Sequence, residues 1–384
     1  MKYCSVAFFI FFSVALVVGF DANSKSNVAA YWGQASAGYQ QTLGSYCESP
    51  DVDVVLLSFL HSFPENLNLH FTPACSTSYD SGLLRCEQIA NDIKKCQSLG
   101  KKVLLSMGGS SGSYGFRDDS QATEFATTLW NTFAGGSSSE RPFNDAVIDG
   151  FDFDIENRNP TGYTALAKKL REYFSSANKQ YYLSAAPQCF YPDASVGDLL
   201  DNVELDFVFI QFYNNACNVG AQFNWDVWVK QATSTPNSKA KLFLGLAGSP
   251  SAAASGYVSD LEKVRSTVNN ISRGADFGGI MLWDASQGFA NQVEGKSYVA
   301  QMKEILNTVQ VTENDTQDTD RQEPNVESGT VTSTTSSTAA RSASSSSVVT
   351  TTSKSGASRV LTSEGATTLN FLVGALRYTR RALF

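Results

Sequence analysis

The chain has 384 residues, of which 42% are hydrophobic, 12% aromatic and 17% charged, enough apolar material for one large core or two ordinary ones. A formal net charge of -8 argues against nucleic acid or an anionic membrane surface as a partner. The two histidines, His61 and His70, come without a spaced His or Cys cluster, so a zinc site or a Ser-His-Asp triad has little support.

Residues 1–22 read as a cleaved secretory signal. Lys2 precedes an unbroken apolar run, and the small polar stretch DANSKSN follows it, which places cleavage near Gly19 to Ala22. Cys4 would leave with the signal. The remaining cysteines, Cys47, Cys75, Cys86, Cys96, Cys189 and Cys217, form an even set, as an oxidising compartment favours. Their spacing alone leaves the pairing open.

Short apolar runs then recur along the chain: VAAYWGQ (28–34), VDVVLLSFL (52–60), KVLLSMGG (102–109), VIDGFDFDIE (147–156), YYLSAAPQ (181–188), LDFVFIQFY (205–213), KLFLGLAG (241–248) and FGGIMLWD (277–284). Each is rich in β-branched, aromatic and aliphatic residues, as buried parallel strands are. Helical periodicity fills the gaps at 82–99, 121–133, 162–178, 258–269 and 297–309. In the third of these, Tyr163, Leu166, Ala167, Leu170, Tyr173 and Phe174 share one face. Eight strand–helix units over residues 23–310 predict an α/β fold, a (β/α)8 barrel with its reactive groups at the C-terminal ends of the strands. A doubly wound open sheet would need a glycine-rich phosphate loop after an early strand, and SMGGSSGSYG lacks that spacing.

Composition changes after Val309. Residues 311–358 are acidic and polar at first, then dominated by Ser and Thr, and read as a disordered, O-glycosylated stalk. Residues 359–384, preceded by the small residues Ser355 to Ser358, resemble a GPI-attachment signal. Arg377, Arg380 and Arg381 interrupt its apolar run, which leaves simple secretion or wall retention as the alternative. N-glycosylation acceptors occur at Asn270 and Asn314.

The stretch DGFDFDIEN (149–157) sets Asp149, Asp152, Asp154 and Glu156 among large apolar side chains. Strand side chains alternate between faces, so Asp152, Asp154 and Glu156 share one face and Phe151, Phe153 and Ile155 the other. In a barrel the apolar set meets the helices and the acidic set lines the interior, with Glu156 last, at the mouth. Three inward carboxylates cannot all ionise cheaply, so a proton is shared and a pKa raised, as a general acid requires. One strand face cannot encircle a metal ion, so no metal and no cofactor is expected.

Asp149, Asp152, Asp154 and Glu156 match the pattern DxxDxDxE. With AAYWGQ (29–34), LLSMGGSSGSYGF (104–116), SAAPQCFYPD (184–193), QFYNN (211–215) and GGIMLWD (278–284), the chain resembles the family 18 chitinases of the class III plant and fungal type over residues 27 to 309. The resemblance implies a secreted, monomeric cell-wall enzyme that cleaves chitin endo-wise with retention, the substrate's own acetamido group acting as nucleophile. It implies Glu156 as acid and then base, Asp154 as the group that orients the acetamido, and Asp152 as the partner that shares a proton with Asp154. Asp149 would be structural. Tyr213 and Asn214 would steady the acetamido group and Trp283 would form the floor, with Tyr31 and Gln34 nearby and Gln211 on the barrel wall. Phe59 divides evenly between packing and sugar contact. Trp225 and Trp228 read as core. The implied disulfides are Cys47–Cys96, Cys75–Cys86 and Cys189–Cys217. The rival readings are a non-catalytic glycan-binding protein on the same barrel, an enzyme acting on the chitobiose core of N-glycans, and a wall mannoprotein.

Overall fold

The computed structural model describes residues 20–71 and 73–319, with side chains to Thr308. Residues 1–19, read as part of a signal, the Ser/Thr-rich stretch, residues 359–384, read as an attachment signal, and the Asn314 side chain lie outside the described residues.

Eight strands form the barrel: β1 (Asn27–Trp32), β2 (Val54–Phe63), β3 (Lys102–Gly109), β4 (Gly150–Ile155), β5 (Tyr182–Ala185), β6 (Phe207–Gln211), β7 (Lys241–Ala247) and β8 (Phe277–Trp283). Each pairs in parallel with the next, and β1 pairs with β8 as well as β2, so the sheet closes on itself. The helices are α1 (Leu43–Cys47), α2 (Glu87–Ser98), α3 (Asp119–Phe133), α4 (Tyr163–Ser175), α5 (Gly197–Asn202), α6 (Trp225–Ser234), α7 (Leu261–Ile271), α8 (Ala285–Ala290) and α9 (Tyr298–Thr319). The eight runs read from the sequence are the eight barrel strands. The periodic stretches correspond to α2, α3, α4, α7 and α9.

Period-two alternation divides the apolar side chains into two cores. Outside the sheet, residues such as Trp32, Phe151, Phe153 and Ile155 pack against the helices; inside it, Tyr31, Phe59, Phe207, Phe209, Phe243 and Met281 fill the barrel. On α4, Tyr163, Leu166, Ala167, Leu170 and Phe174 are buried, and Tyr173 stacks on Trp130 at 5.3 Å.

The last helix continues to Thr319, nine residues into the stretch read as disordered. Neither Pro nor Gly interrupts 311–319, so a helix seeded by the buried residues up to Leu306 propagates at little cost.

The N-terminal end of the barrel is closed by Phe20. Its ring meets those of Tyr182 and Phe207, both at 5.8 Å, at the starts of β5 and β6, and its N–H donates to the Gly100 carbonyl. Phe20 lies inside the expected cleavage window: processing after Gly19 keeps this plug and processing after Ala22 removes it. For chains beginning at Phe20, Phe20→Ala should cost roughly 1–2 kcal/mol, about half the loss for a fully buried ring, and lower Tm by about 3–6 °C. Thermal melts measure it; an unchanged Tm would mean that the ring does not seal the barrel.

Candidate active site

Strand β4 carries its carboxylates into the barrel as the alternation requires. Asp152 is fully buried and Asp154 is 3% exposed, while Glu156, one residue past the strand, is half-buried at the mouth. Asp152 accepts three hydroxyls, from Tyr31 (2.9 Å), Ser106 (2.7 Å) and Ser184 (2.7 Å). Register places the serines there, since Ser106, Asp152 and Ser184 are Cα partners across β3, β4 and β5. Burial pushes the Asp152 carboxyl up, and the three hydroxyls oppose it.

Asp154 has less support. Its Oδ1 accepts from Nε2 of Gln211 at 2.9 Å. Burial, then the charges of Glu156 and Asp152, hold its carboxyl well above the ordinary range. Glu156 is raised too, mainly by burial, against a hydrogen bond from Nε2 of Gln188 at 3.2 Å, with Asp193 adding to the rise. The three therefore titrate as a group. Asp152, with its hydroxyl donors, is the carboxylate best able to stay charged, and Asp154 is the one best able to keep a proton.

The backbone of Glu156 is fixed separately. Its N–H donates to the Tyr114 hydroxyl at 3.1 Å, and that hydroxyl donates to the Gly109 carbonyl at 2.6 Å. Burial pushes the Tyr114 hydroxyl up to about 12, so it stays protonated as a donor. Gly108 and Gly109 let β3 end so close to its neighbours. Both have positive φ, and a Cβ would come within 2.3 Å of the Asp154 carbonyl at Gly108 and 2.9 Å of the Phe59 ring at Gly109.

A cleft of about 470 Å³ opens above these groups, lined by Phe59, Ser110, Asp154, Glu156, Gln211, Tyr213, Asn214, Trp283 and residues 251–254. Larger open hollows lie elsewhere, one around Lys296, Lys303 and Glu304 and one around Trp225, Lys230 and Asn270, but neither holds a row of carboxylates. Trp283 stacks on Phe59 at 5.9 Å, so Phe59 both packs and faces the cleft. Asn214 sits at φ 60, and its side chain accepts from the Ala254 N–H, which ties down the 251–254 loop that lines the cleft. Tyr213 is buried, and Asp154 and Glu156 add to the burial that raises its hydroxyl.

Not every expected contact residue faces the cleft. Tyr31 is 1% exposed, its hydroxyl is committed to Asp152 and its ring lies against Trp283, so it supports the floor from below. Gln34 is held by the carbonyls of Ser58 and His70 and by Nδ1 of His70, and it braces the β2 rim. Gln211 reaches Asp154 and the Ala186 carbonyl rather than open space alone. Asp149 is structural, accepting from the Val103 N–H and pairing with Lys179. Trp225 and Trp228 are buried outside the barrel. The disulfides join Cys47 to Cys96, Cys75 to Cys86 and Cys189 to Cys217. Asn270 is exposed on α7.

Sequence reasoning missed Ser106, Ser184, Tyr114 and Gln188. The serines carried a signal, since each is a small polar residue at an inward position of an otherwise apolar run. Gln188 carried the same signal, since it closes the run 181–188 on the face of Ser184, whereas Tyr114 carried none, as it comes from a two-residue strand beyond β3 that pairs with the end of β2.

Comparison with known proteins places this constellation. The family model "Glycosyl hydrolases family 18" matches residues 27–256. An endochitinase of Saccharomyces cerevisiae is 60% identical over 295 residues, covering 76% of this chain and 52% of that protein. Chitinase 1 of Candida albicans is 56% identical over 274 residues, covering 70% of this chain and 58% of that one. The chain thus spans about half the length of the curated relatives it matches. Among solved structures, the ICChI chitinase from Ipomoea carnea has a TM-score of 0.63 at 32% identity, covering 73% of this chain and 99% of that one. The xylanase and alpha-amylase inhibitor protein XAIP-II from Scadoxus multiflorus has a TM-score of 0.59 at 32% identity, covering 74% and 98%.

The crowded carboxylates should cost stability in a pH-dependent way. Asp154 has a folded-state pKa above its unfolded value, so its contribution is most favourable below about pH 4 and is lost as pH rises through the raised value. Asp154→Asn cannot ionise. It should melt higher than the parent by about 2–8 °C at pH 7.5, a gain that fades as pH falls to about 4. A gain independent of pH would show that Asp154 is not the strained member of the group.

Proposed function

Since the chain belongs to glycosyl hydrolase family 18, we propose that it hydrolyses β-1,4 N-acetylglucosamine linkages in chitin, endo-wise and with retention of anomeric configuration. The observation that carries this reading is the row on β4: two buried carboxylates inside the barrel, and a third, Glu156, at the mouth of a cleft floored by Trp283.

Glu156, held protonated by its half-buried setting, would give its proton to the glycosidic oxygen as the bond to the anomeric carbon breaks. The acetamido carbonyl oxygen of the same sugar would attack that carbon, closing a positively charged ring. Family 18 departs in this way from the usual pair of catalytic carboxylates, because the substrate supplies the nucleophile. Asp154 would accept the acetamido N–H and, by passing its proton towards Asp152, face the developing cation as a carboxylate. Asp152 and its three hydroxyls are suited to take up that change. Tyr213 and Asn214 would hold the acetamido group against Trp283. Glu156, now a carboxylate, would then take a proton from the water that opens the ring. The anomeric carbon is attacked twice, so its configuration returns.

The fold alone does not secure catalysis, as the similarity to a xylanase and alpha-amylase inhibitor protein illustrates. What favours an enzyme over a glycan-binding protein is that Glu156, Asp154 and Tyr213 are all in place around one cleft. The disulfides fit an oxidising compartment. We read the protein as secreted to the cell wall for wall remodelling, with a C-terminal segment that serves retention there. Among the described residues no helix is long and apolar enough to cross a membrane.

Glu156→Gln should fold normally, bind chitin oligosaccharides and lose about 10²–10⁴-fold in turnover. Proton NMR of the first-formed product from the parent should show the β anomer. Parental turnover in Glu156→Gln would overturn the acid assignment. An inverted product would mean that water attacks directly, and the role given to Asp154 would fall.

A further inference from the structure

The carboxamide of Gln188 meets the acid carboxyl, with Nε2 donating to Oε2 of Glu156 at 3.2 Å. Turned over, the same amide would present its carbonyl oxygen and hold the acid's proton for itself. The choice between these two states is made one residue further away.

Oε1 of Gln188 accepts from Nδ2 of Asn215 at 2.6 Å, and that same Nδ2 donates to the backbone carbonyl of Tyr213 at 3.2 Å. A backbone carbonyl only accepts, so it determines which end of the Asn215 amide faces it. Reversing Asn215 would set its oxygen against two acceptor oxygens. Its amino group therefore also faces Gln188, which must answer with oxygen, leaving only the Gln188 amino group for Glu156. Orientation passes from main chain to acid through two side-chain amides.

The frame around this relay is braced. The disulfide Cys189–Cys217 joins the segments that carry Gln188 and Asn215. The Gln188 N–H donates to Asp193 at 2.9 Å, and the Asn215 carbonyl accepts from Asn218 at 2.7 Å. Gln188 is also bridged to Gln211, the residue that holds Asp154.

Resting on the reading of Glu156 as the acid, we propose that Gln188 and Asn215 are positioning residues for hydrolysis. Asn215 sets the direction of the Gln188 amide, and Gln188 keeps the transferable proton on Oε1 of Glu156, the oxygen it leaves free.

Glu156 also faces Asp154 on its own strand, Asp193 after β5, Tyr114 after β3 and Tyr213 after β6. Asp154 and Asp193 oppose ionisation of Glu156, whereas Gln188 favours it by donating to the carboxylate. Loss of that donor therefore moves the alkaline limb of the activity profile upwards.

The test is kcat and KM against pH on soluble chitin oligosaccharides for the full chain and for Gln188→Met, Asn215→Asp, the double variant and Glu156→Gln. Gln188→Met, similar in length but unable to donate, should raise the alkaline limb by about one pH unit with KM within about two-fold. Asn215→Asp removes the only donor to Gln188 Oε1 among the described residues and invites the amide to turn, so kcat should fall about ten-fold. In the Gln188→Met background the same Asp should cost no further kcat, because no amide is left to turn. An unmoved limb in Gln188→Met, or losses that simply add, would sink the relay while Glu156→Gln remains inactive and the acid reading stands. Full turnover by Glu156→Gln would remove both. Neutron diffraction of the parent tests the same point without substitution. Deuterons on the Gln188 atom facing Glu156 are expected, and a bare oxygen there would overturn the proposal.

Discussion

Asp152 lies in the middle of the barrel with no exposed surface, and a carboxylate in that position is tolerable only if its oxygens are occupied. Much of the molecule is arranged around meeting this requirement. Tyr31 from β1, Ser106 from β3 and Ser184 from β5 converge on it, and they do so only because the sheet closes and the register of β3, β4 and β5 aligns them. A slip of one residue on β4 would turn both aspartates into the helical layer and bring Phe151 and Phe153 into the barrel. The acidic row therefore ties the fold to its register as firmly as the apolar row does.

Above Asp152 the support thins. Asp154 has the Gln211 donor, and Glu156 has Gln188 on its carboxyl and Tyr114 on its backbone. The charges of the neighbours add to burial, so the affinity for protons rises towards the mouth. This gradient, from a well-satisfied base to an undersupplied mouth, suits the proposed proton transfer: one charge held, others left mobile. Under the proposed mechanism, removing the strained group stabilises the fold and spoils the chemistry, the usual opposition between stability and activity.

The mouth itself is built by loops rather than strands. Trp283 ends β8 and Phe59 lies within β2, but Tyr114, Gln188, Asn214 and the 251–254 turn come from the connections between barrel strands. Close approach is possible because Gly108 and Gly109 carry no Cβ towards Asp154 and Phe59. The acidic row belongs to the barrel and the cleft to its loops, so similarity of fold alone does not carry the cleft with it.

The sequence by itself determined the eight strands, their inward and outward faces and the place of Asp152, Asp154 and Glu156 on one of them. Those properties follow from alternation between neighbours in the chain, which any strand obeys wherever it is placed. It did not show α1, α5 or α8, which have five or six residues and too few turns for a periodic signal. Nor did it show that Tyr31 serves Asp152 and not the cleft, that Gln34 braces the β2 rim, or that Gln188 meets Glu156. Tyr31 and Asp152 are 121 positions apart, and Gln188 and Glu156 are 32 apart. Contacts of that kind exist only after the sheet has closed and the loops have settled on it. The tertiary structure alone decided them, because the direction of a side chain is local but the identity of what it meets is not.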